Sequence, residues 1–206
     1  MIAVVDYGVG NLFSLKSSLQ ALGLQAVVSG DADEILAAQK IILPGVGAFA
    51  DAMGKLRSSG LAETLRQAAG AGTPLLGICL GMQLLFEESL EFGTHRGLGL
   101  VPGRVESLSA DLCTAGFAYK VPHMGWNPLH LTRPQCPLLK YSSEGDSVYY
   151  VHSFYAKNCD AYTAAISEYG VAVPGIVQNG NVFGTQFHPE KSADKGLAIL
   201  RAFGEV

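Results

Sequence analysis

The sequence predicts an α/β fold: a mostly parallel central sheet with helices on both faces, and added antiparallel strands in the C-terminal half. Three observations carry this. Short, β-branched apolar runs alternate with helical patterns through the first half of the chain. Turns rich in Gly and Pro punctuate those runs. In the second half the strand signals continue, but no long helical pattern separates them until the C-terminus.

The elements follow in order. Ile2 to Val5 is an apolar run ending at Asp6, the pattern of a strand covered on both faces. Gly8 and Gly10 form a turn, and Asn11 to Leu22 carries Leu12, Leu15, Leu19 and Leu22 at helical spacing until Gly23 stops it. Ala26 to Val28 reads as a second strand. Asp31 with Glu34 makes a capping-box pattern that opens a short helix to Ala38. Ile41 to Leu43 is a third strand, ended by Pro44. Phe49 to Leu56 and Leu61 to Ala69 are helical, Leu75 to Ile78 is a strand, and Leu80 to Glu88 a helix. Six further runs read as strands: Arg104 to Leu108, Val121 to Leu129, Ser147 to Phe154, Tyr162 to Ser167, Gly175 to Gln178 and Asn181 to His188. They are expected to extend the same sheet. Leu197 to Phe203 is the closing helix. With no repeat, linker or low-complexity tract, one domain over residues 1–206 is expected.

Composition narrows the function classes. The chain has 206 residues, 49% hydrophobic and 16% charged. A chain of this length buries roughly 70% of its unfolded surface, so its core needs no disulfide or metal staple. The net charge is −4 and no Lys/Arg run occurs, which removes the electrostatic footprint of a nucleic-acid binder. No apolar stretch approaches the ~20 residues of a membrane span. The beginning of the chain lacks the basic-then-apolar order of a secretory signal. The four cysteines, Cys79, Cys113, Cys136 and Cys159, are widely spaced without C-x-x-C, so neither a zinc site nor a disulfide framework is signalled. A cytoplasmic protein without metal or cofactor is expected.

The sharpest local pattern is Gly77-Ile78-Cys79-Leu80-Gly81, a strand-to-helix junction of the form G-x-nucleophile-x-G. Such an elbow holds its nucleophile at a helix N-terminus, where the macrodipole favours a thiolate. The N–H of Leu80 is then placed to meet a developing oxyanion. The alternative is a structural Cys packed between two glycines. A thiol of ordinary pKa is only about 3% ionised at neutral pH, so a base is also required. His188 follows an apolar strand and precedes Pro189-Glu190. In extended chain, residues i and i+2 lie on one side about 6–7 Å apart, within reach of a Glu that would orient the imidazole. His123 and His152 sit in strand-like runs and rival His188 as the base, but neither has a carboxylate at i+2. His95 and His130 lie in polar loops. A third feature, Pro44-Gly45-Val46-Gly47 after a strand, exposes backbone N–H groups that suit a phosphate or a second oxyanion contact. G-x-x-x-x-G-K-[ST] is absent, which excludes a nucleoside triphosphate loop.

Gly77-Ile78-Cys79-Leu80-Gly81-Met82-Gln83 together with Phe187-His188-Pro189-Glu190-Lys191-Ser192 resembles the triad-type, class I glutamine amidotransferases. Four more stretches resemble one branch of that family, the glutaminase subunits of imidazole glycerol phosphate synthases. They are Asp6-Tyr7-Gly8-Val9-Gly10-Asn11-Leu12, Pro44-Gly45-Val46-Gly47-Ala48-Phe49, Pro122-His123-Met124-Gly125-Trp126-Asn127 and Val151-His152-Ser153-Phe154. The similarity runs over essentially the whole chain. It implies a flavodoxin-like fold and a Cys79–His188–Glu190 triad that hydrolyses glutamine through a thioester. It also implies oxyanion contacts from Leu80 and from Val46 or Gly47, and glutamine-binding contacts from Gly47, Gln83, Ser153 and Phe154. The ammonia would pass to a cyclase subunit, a (β/α)₈ barrel in a heterodimer, which makes imidazole glycerol phosphate and aminoimidazole carboxamide ribotide in histidine biosynthesis. Asn11, Trp126, Tyr149 and Lys191 match positions at that interface. The alternatives are the glutaminase of another ammonia-using synthase, or a non-catalytic regulator of the cyclase.

Overall fold

A computed structural model describes all 206 residues. In the first half the chain runs β1 (Ile2–Val5), α1 (Leu12–Ala21), β2 (Ala26–Ser29), α2 (Ala32–Leu36), β3 (Lys40–Gly45), α3 (Phe49–Ser58), α4 (Leu61–Gly70), β4 (Leu75–Cys79) and α5 (Leu80–Leu84). It continues with β5 (Phe86–Ser89), β6 (His95–Arg96), β7 (Val101–Ser107), α6 (Leu108–Thr114), β8 (His123–Pro128) and β9 (His130–Leu131). Then come β10 (Ser147–His152), β11 (Phe154–Lys157), β12 (Thr163–Glu168), β13 (Ala172–Asn179), β14 (Val182–Thr185) and α7 (Ala193–Glu205).

The central sheet has eight strands in the order β2-β1-β3-β4-β14-β13-β12-β9. Pairings from β2 through β14 are parallel, and those from β14 to β9 antiparallel. Strand periodicity sorts the side chains into two cores. Ala3, Val5, Ile41, Leu43 and Leu75 point to one face, covered by Ile35, Phe49, Met53, Leu56 and Leu65 of α2, α3 and α4. Ile2, Val4, Ile42, Leu76 and Ile78 point to the other, covered by Leu15 and Leu19 of α1 and by Ile199, Leu200 and Phe203 of α7. Each fully buried Leu, Ile, Val, Phe or Met side chain among them contributes about 1.5–3 kcal/mol through removal from water. This double coverage explains why the strands read as continuous apolar runs.

Several expectations are corrected. β3 runs through Pro44 to Gly45, because the register with β1 ends at Ile42 and the rest of the strand pairs only with β4. A proline is tolerated where one edge is free. The helix expected from Leu80 to Glu88 stops at Leu84. Phe86 begins β5, because Leu84, Leu85 and Phe86 are all buried and Phe86 pairs with Val101 of β7. Arg104 to Leu108 is longer at its start, and Leu108 opens α6, a helix the sequence reading missed. Ser107 caps it, accepting a hydrogen bond from Ala110 N at 3.4 Å. Ser147 to Phe154 is two strands bent at Ser153. The later strands do not all join one sheet: β8 and β10 form a two-stranded ribbon, and β11-β7-β5-β6 a separate four-stranded sheet. Asn181 to His188 is strand only to Thr185, after which Gln186 N donates to Gly175 O at 2.9 Å and the chain leaves the ladder.

Candidate active site

The β4–α5 junction turns at Cys79, whose φ of 55° and ψ of −111° place a non-glycine residue in the left-handed half of backbone space. Such a conformation costs about 1–3 kcal/mol and persists only when the surroundings impose it. Here the imposition comes from close backbone packing. A Cβ on Gly77 would lie 2.6 Å from Gly81 O, one on Gly45 would lie 2.6 Å from Gly81 N, and one on Gly81 would overlap the Leu43 carbonyl. The glycines therefore let β3, β4 and the first turn of α5 nest together. Since α5 has five residues, the dipole expected from a longer helix is correspondingly weak.

Cys79 is buried at the floor of a cleft of about 560 Å³. Val46, Gly47, Leu80, Gln83, Ser153, Phe154, His188 and Lys191 line the same cleft. The sulfur lies 3.8 Å from Val151 O and 3.9 Å from Gln186 Nε2. His188 stands at the end of the β14 segment, and its Nδ1 bonds Glu190 Oε1 at 2.8 Å. Both side chains are 3% exposed. The segment is anchored three ways: His188 N donates to Tyr149 O, Ser192 Oγ donates to His188 O, and Tyr149 N donates to Ser192 Oγ. Burial, the largest influence, disfavours a charged imidazole, but Cys79 and Glu190 outweigh it and raise the His188 pKa to about 9. His188 thus holds a proton at neutral pH. The other oxygen, Glu190 Oε2, is buried without a partner.

The Pro44–Gly47 loop is fixed at its base. Tyr7 OH donates to Pro44 O at 2.9 Å, and burial, then the nearby Cys79, raises the phenol's pKa. Gly47 has φ of +93° with open space around it. Gln83 Nε2 donates to Phe154 O at 2.8 Å and to Gln186 Oε1 at 3.1 Å, so its own carbonyl oxygen remains as an acceptor. Two lining residues escaped the sequence reading. Glu91 is the one carboxylate along the cleft; its Oε2 accepts from Phe49 N at 2.7 Å, at the start of α3. Phe92 stands 87% exposed at the rim, edge-on to Phe154. No local signal marks either: Glu91 meets Phe49 across 42 residues of sequence.

The expected interface residues are Trp126, Tyr149, Lys191 and Asn11. Trp126 of β8 is 56% exposed and sits opposite Tyr149 of β10, ring edge to ring face at 6.0 Å. Its neighbour Met124 is 60% exposed, so the outer face of the ribbon is apolar. Lys191 is exposed on the cleft wall. Asn11, half-buried, caps α1 through Ser14 N and lines a cavity of about 10 Å³ with Gly45, His188 and Glu190. The rival bases, His123 and His152, are buried and bonded to each other at 2.9 Å. No group of three or more His, Cys, Asp or Glu is arranged to hold a metal. No helix is long and apolar enough to cross a membrane.

These features define an α/β protein with a strained, cleft-facing thiol at a strand–helix elbow, beside a carboxylate-held imidazole. A family model for class-I glutamine amidotransferases matches residues 3–204, and the chain belongs to that family. A Listeria monocytogenes protein named imidazole glycerol phosphate synthase subunit HisH is 49% identical over 206 residues, covering the whole chain and 96% of the relative. A Geobacillus kaustophilus protein of the same name is 53% identical over 204 residues, 98% of this chain and 95% of the relative. Among solved structures, a glutamine amidotransferase superposes with a TM-score of 0.75 at 20% identity, covering all of both chains. PurLQS from Thermotoga maritima gives 0.75 at 21% identity over 98% of this chain and 96% of that one. At those identities the likeness shows the fold.

Proposed function

We propose that this chain is the glutaminase subunit of an imidazole glycerol phosphate synthase. The observation that carries the reading is Cys79 in a cleft beside a Glu190-held His188, in a chain whose full-length relatives bear that name. The Cys79 sulfur attacks the side-chain amide carbon of glutamine. Leu80 N–H and a peptide N–H of Val46 or Gly47 receive the charge that develops on the amide oxygen. His188 takes the thiol proton and passes it to the departing nitrogen, so that the C–N bond breaks, ammonia leaves and a γ-glutamyl thioester remains on Cys79. His188 then takes a proton from water as it attacks the thioester, and glutamate departs. Glu190 keeps Nδ1 protonated, so that Nε2 is the nitrogen serving sulfur and substrate.

The cleft also fits the rest of the substrate. The Glu91 carboxylate and the free Gln83 carbonyl oxygen suit the α-ammonium group. The backbone at Gly47, Ser153 and Phe154 closes around the α-carbon end. The released ammonia passes to a cyclase subunit, a (β/α)₈ barrel, whose docking face meets Trp126 and Tyr149 on the ribbon with the exposed Met124 beside them, Lys191 beside the cleft, and Asn11 at the start of α1. The test is to mix the chain with such a cyclase. Co-elution as a one-to-one pair and glutamine-dependent formation of imidazole glycerol phosphate are expected. A pair that forms the product from added ammonia but never from glutamine overturns the reading.

A further inference from the structure

Two histidines outside the triad, His123 and His152, form an ordered relay. His152 Nδ1 lies 3.0 Å from the carbonyl oxygen of Phe154. A carbonyl only accepts, so His152 carries its proton on Nδ1 and accepts at Nε2. His123 Nδ1, 2.9 Å from that Nε2, is then the donor. His123 Nε2 accepts from Asn127 Nδ2 at 3.3 Å, and the same amide nitrogen donates to Glu168 O at 2.9 Å, which fixes its orientation. Every bond points one way, from Asn127 through both imidazoles to Phe154. The His123 ring is sandwiched between Tyr150 and Tyr169, with centroids at 4.6 and 4.0 Å.

The ends of this relay are what give it meaning. Phe154 O, its terminus, also receives Gln83 Nε2, and the bonded span crosses the bend at Ser153 where the chain leaves β10 for β11. Ser153, Phe154 and Gln83 all line the cleft. The other end lies in β8, whose outward residues are Met124 and Trp126. We propose that His123 and His152 are positioning residues: a neutral, one-directional pair that fixes the Ser153 bend against bound glutamine and fastens it to the strand that carries Trp126. The proposal rests on the glutaminase reading for its kinetic consequence but not for its imidazole chemistry.

A proton added to either ring has nowhere to go. It would set His152 Nε2–H against His123 Nδ1–H, or His123 Nε2–H against the Asn127 amide. The ionisable groups facing the pair are Tyr150 and Tyr169, on the two faces of the His123 ring, and His188 across the cleft. None offers a compensating negative charge at neutral pH, and no carboxylate bonds either imidazole. Burial accordingly lowers the His123 pKa to about 4; burial, then His123, lowers that of His152 to about 3.

The test combines imidazole nitrogen NMR with two substitutions at position 123. In the wild-type chain, His123 and His152 should both read as neutral Nδ1–H tautomers from pH 8 to pH 5. Either ring found as Nε2–H, or titrating in that range, overturns the proposal. His123→Phe keeps a flat ring between the tyrosines but deletes the donor to His152. His123→Asn restores a donor nitrogen close to the Nδ1 position. His123→Phe should raise KM for glutamine roughly ten-fold, the worth of one lost hydrogen bond to a polar partner, with kcat changed less than about three-fold. His123→Asn should recover most of that loss. Unchanged KM in His123→Phe, or equal impairment in both variants, overturns the proposal. Should His123→Phe fail to fold, the tautomers and a near-normal KM in His123→Asn decide it. A wild-type chain with its cyclase that hydrolyses no glutamine counts against the glutaminase reading, and the NMR result then stands alone as the test of the pair.

Discussion

Replacing Glu190 by Gln changes one atom, yet the structure predicts a large effect. Glu190 Oε1 accepts from His188 Nδ1 at 2.8 Å, while Oε2 is buried with no partner. A glutamine there has two orientations. With its oxygen toward Nδ1, the amide N–H₂ occupies the partnerless position, and an unmet buried donor costs about 1–3 kcal/mol. With its nitrogen toward Nδ1, the partnerless position again holds an oxygen, as in the wild type. His188 must then present a lone pair at Nδ1 and carry its proton on Nε2. That tautomer cannot accept a proton at the nitrogen facing Cys79. The orientation preference alone is about 5- to 150-fold in favour of the unproductive form, and loss of a charge-assisted bond adds about 1.5–3 kcal/mol. Glutamine hydrolysis by Glu190→Gln should fall by about 10²–10⁴, still short of His188→Ala, which has no base. Glu190→Ala should be milder than Glu190→Gln, because the vacated space joins the adjacent cavity and admits a water that accepts from Nδ1–H. Steady-state kcat for the three variants with the cyclase present decides it. Glu190→Gln within ten-fold of wild type, or Glu190→Ala worse than Glu190→Gln, would refute the reasoning.

Other outcomes follow from the same geometry. Because the His188 pKa is raised to about 9, its proton is present below that pH and lost above it. The alkaline limb of kcat/KM should therefore fall near pH 9 and move to lower pH in Glu190→Ala; a limb that stays put in the variant contradicts this. Gly81→Ala drives a Cβ into the Leu43 carbonyl and should cost about 3 kcal/mol or more, seen as a lowered melting temperature with loss of glutaminase. A diazo-ketone analogue of glutamine should label Cys79 alone. Cys136 and Cys159 are buried thiols with raised pKa, the latter to about 11, and Cys113 is exposed outside the cleft; even labelling of all four contradicts the assignment. Gly45 and Gly47 permit a peptide flip that brings a Val46 or Gly47 N–H into or out of the cleft. Glutamine hydrolysis should then rise about 10²–10³-fold when cyclase and acceptor nucleotide are added, the worth of one oxyanion donor; equal rates in all conditions reject the switch.

Much of this was legible in the sequence where chemistry is local. The elbow is written in consecutive residues, because tight backbone packing at Gly77 and Gly81 needs glycine whatever the rest of the chain does. His188 and Glu190 are two residues apart, close enough to pair, but the structure joins them across the 3-10 turn Pro189–Lys191 and not along extended strand as the sequence suggests. The buried parallel strands announce themselves because both faces are covered. The misreadings have one physical origin. Leu84-Leu85-Phe86 is equally apolar as helix or strand, and only the pairing with Val101 of β7 decides it. Leu108–Thr114 has a weak helical signal of its own; Asp111 there binds Lys157 and Tyr155 of β11, a contact the sequence does not announce. Glu91 reaches the cleft, and Gln186 the Cys79 sulfur, through long-range folding, and the bond between His123 and His152 is likewise a contact across 29 residues that no local pattern announces.

On the proposed reading, Cys79 releases ammonia from glutamine and the docked cyclase consumes it. Cys79→Ser, paired with the cyclase, tests this most directly, by measuring imidazole glycerol phosphate formation first with glutamine and then with ammonium salt as the nitrogen source. The expected result is a complex that assembles normally, makes essentially no product from glutamine, and makes product from ammonia at the wild-type ammonia-dependent rate. Glutamine-dependent product formation near the wild-type rate in Cys79→Ser would contradict it.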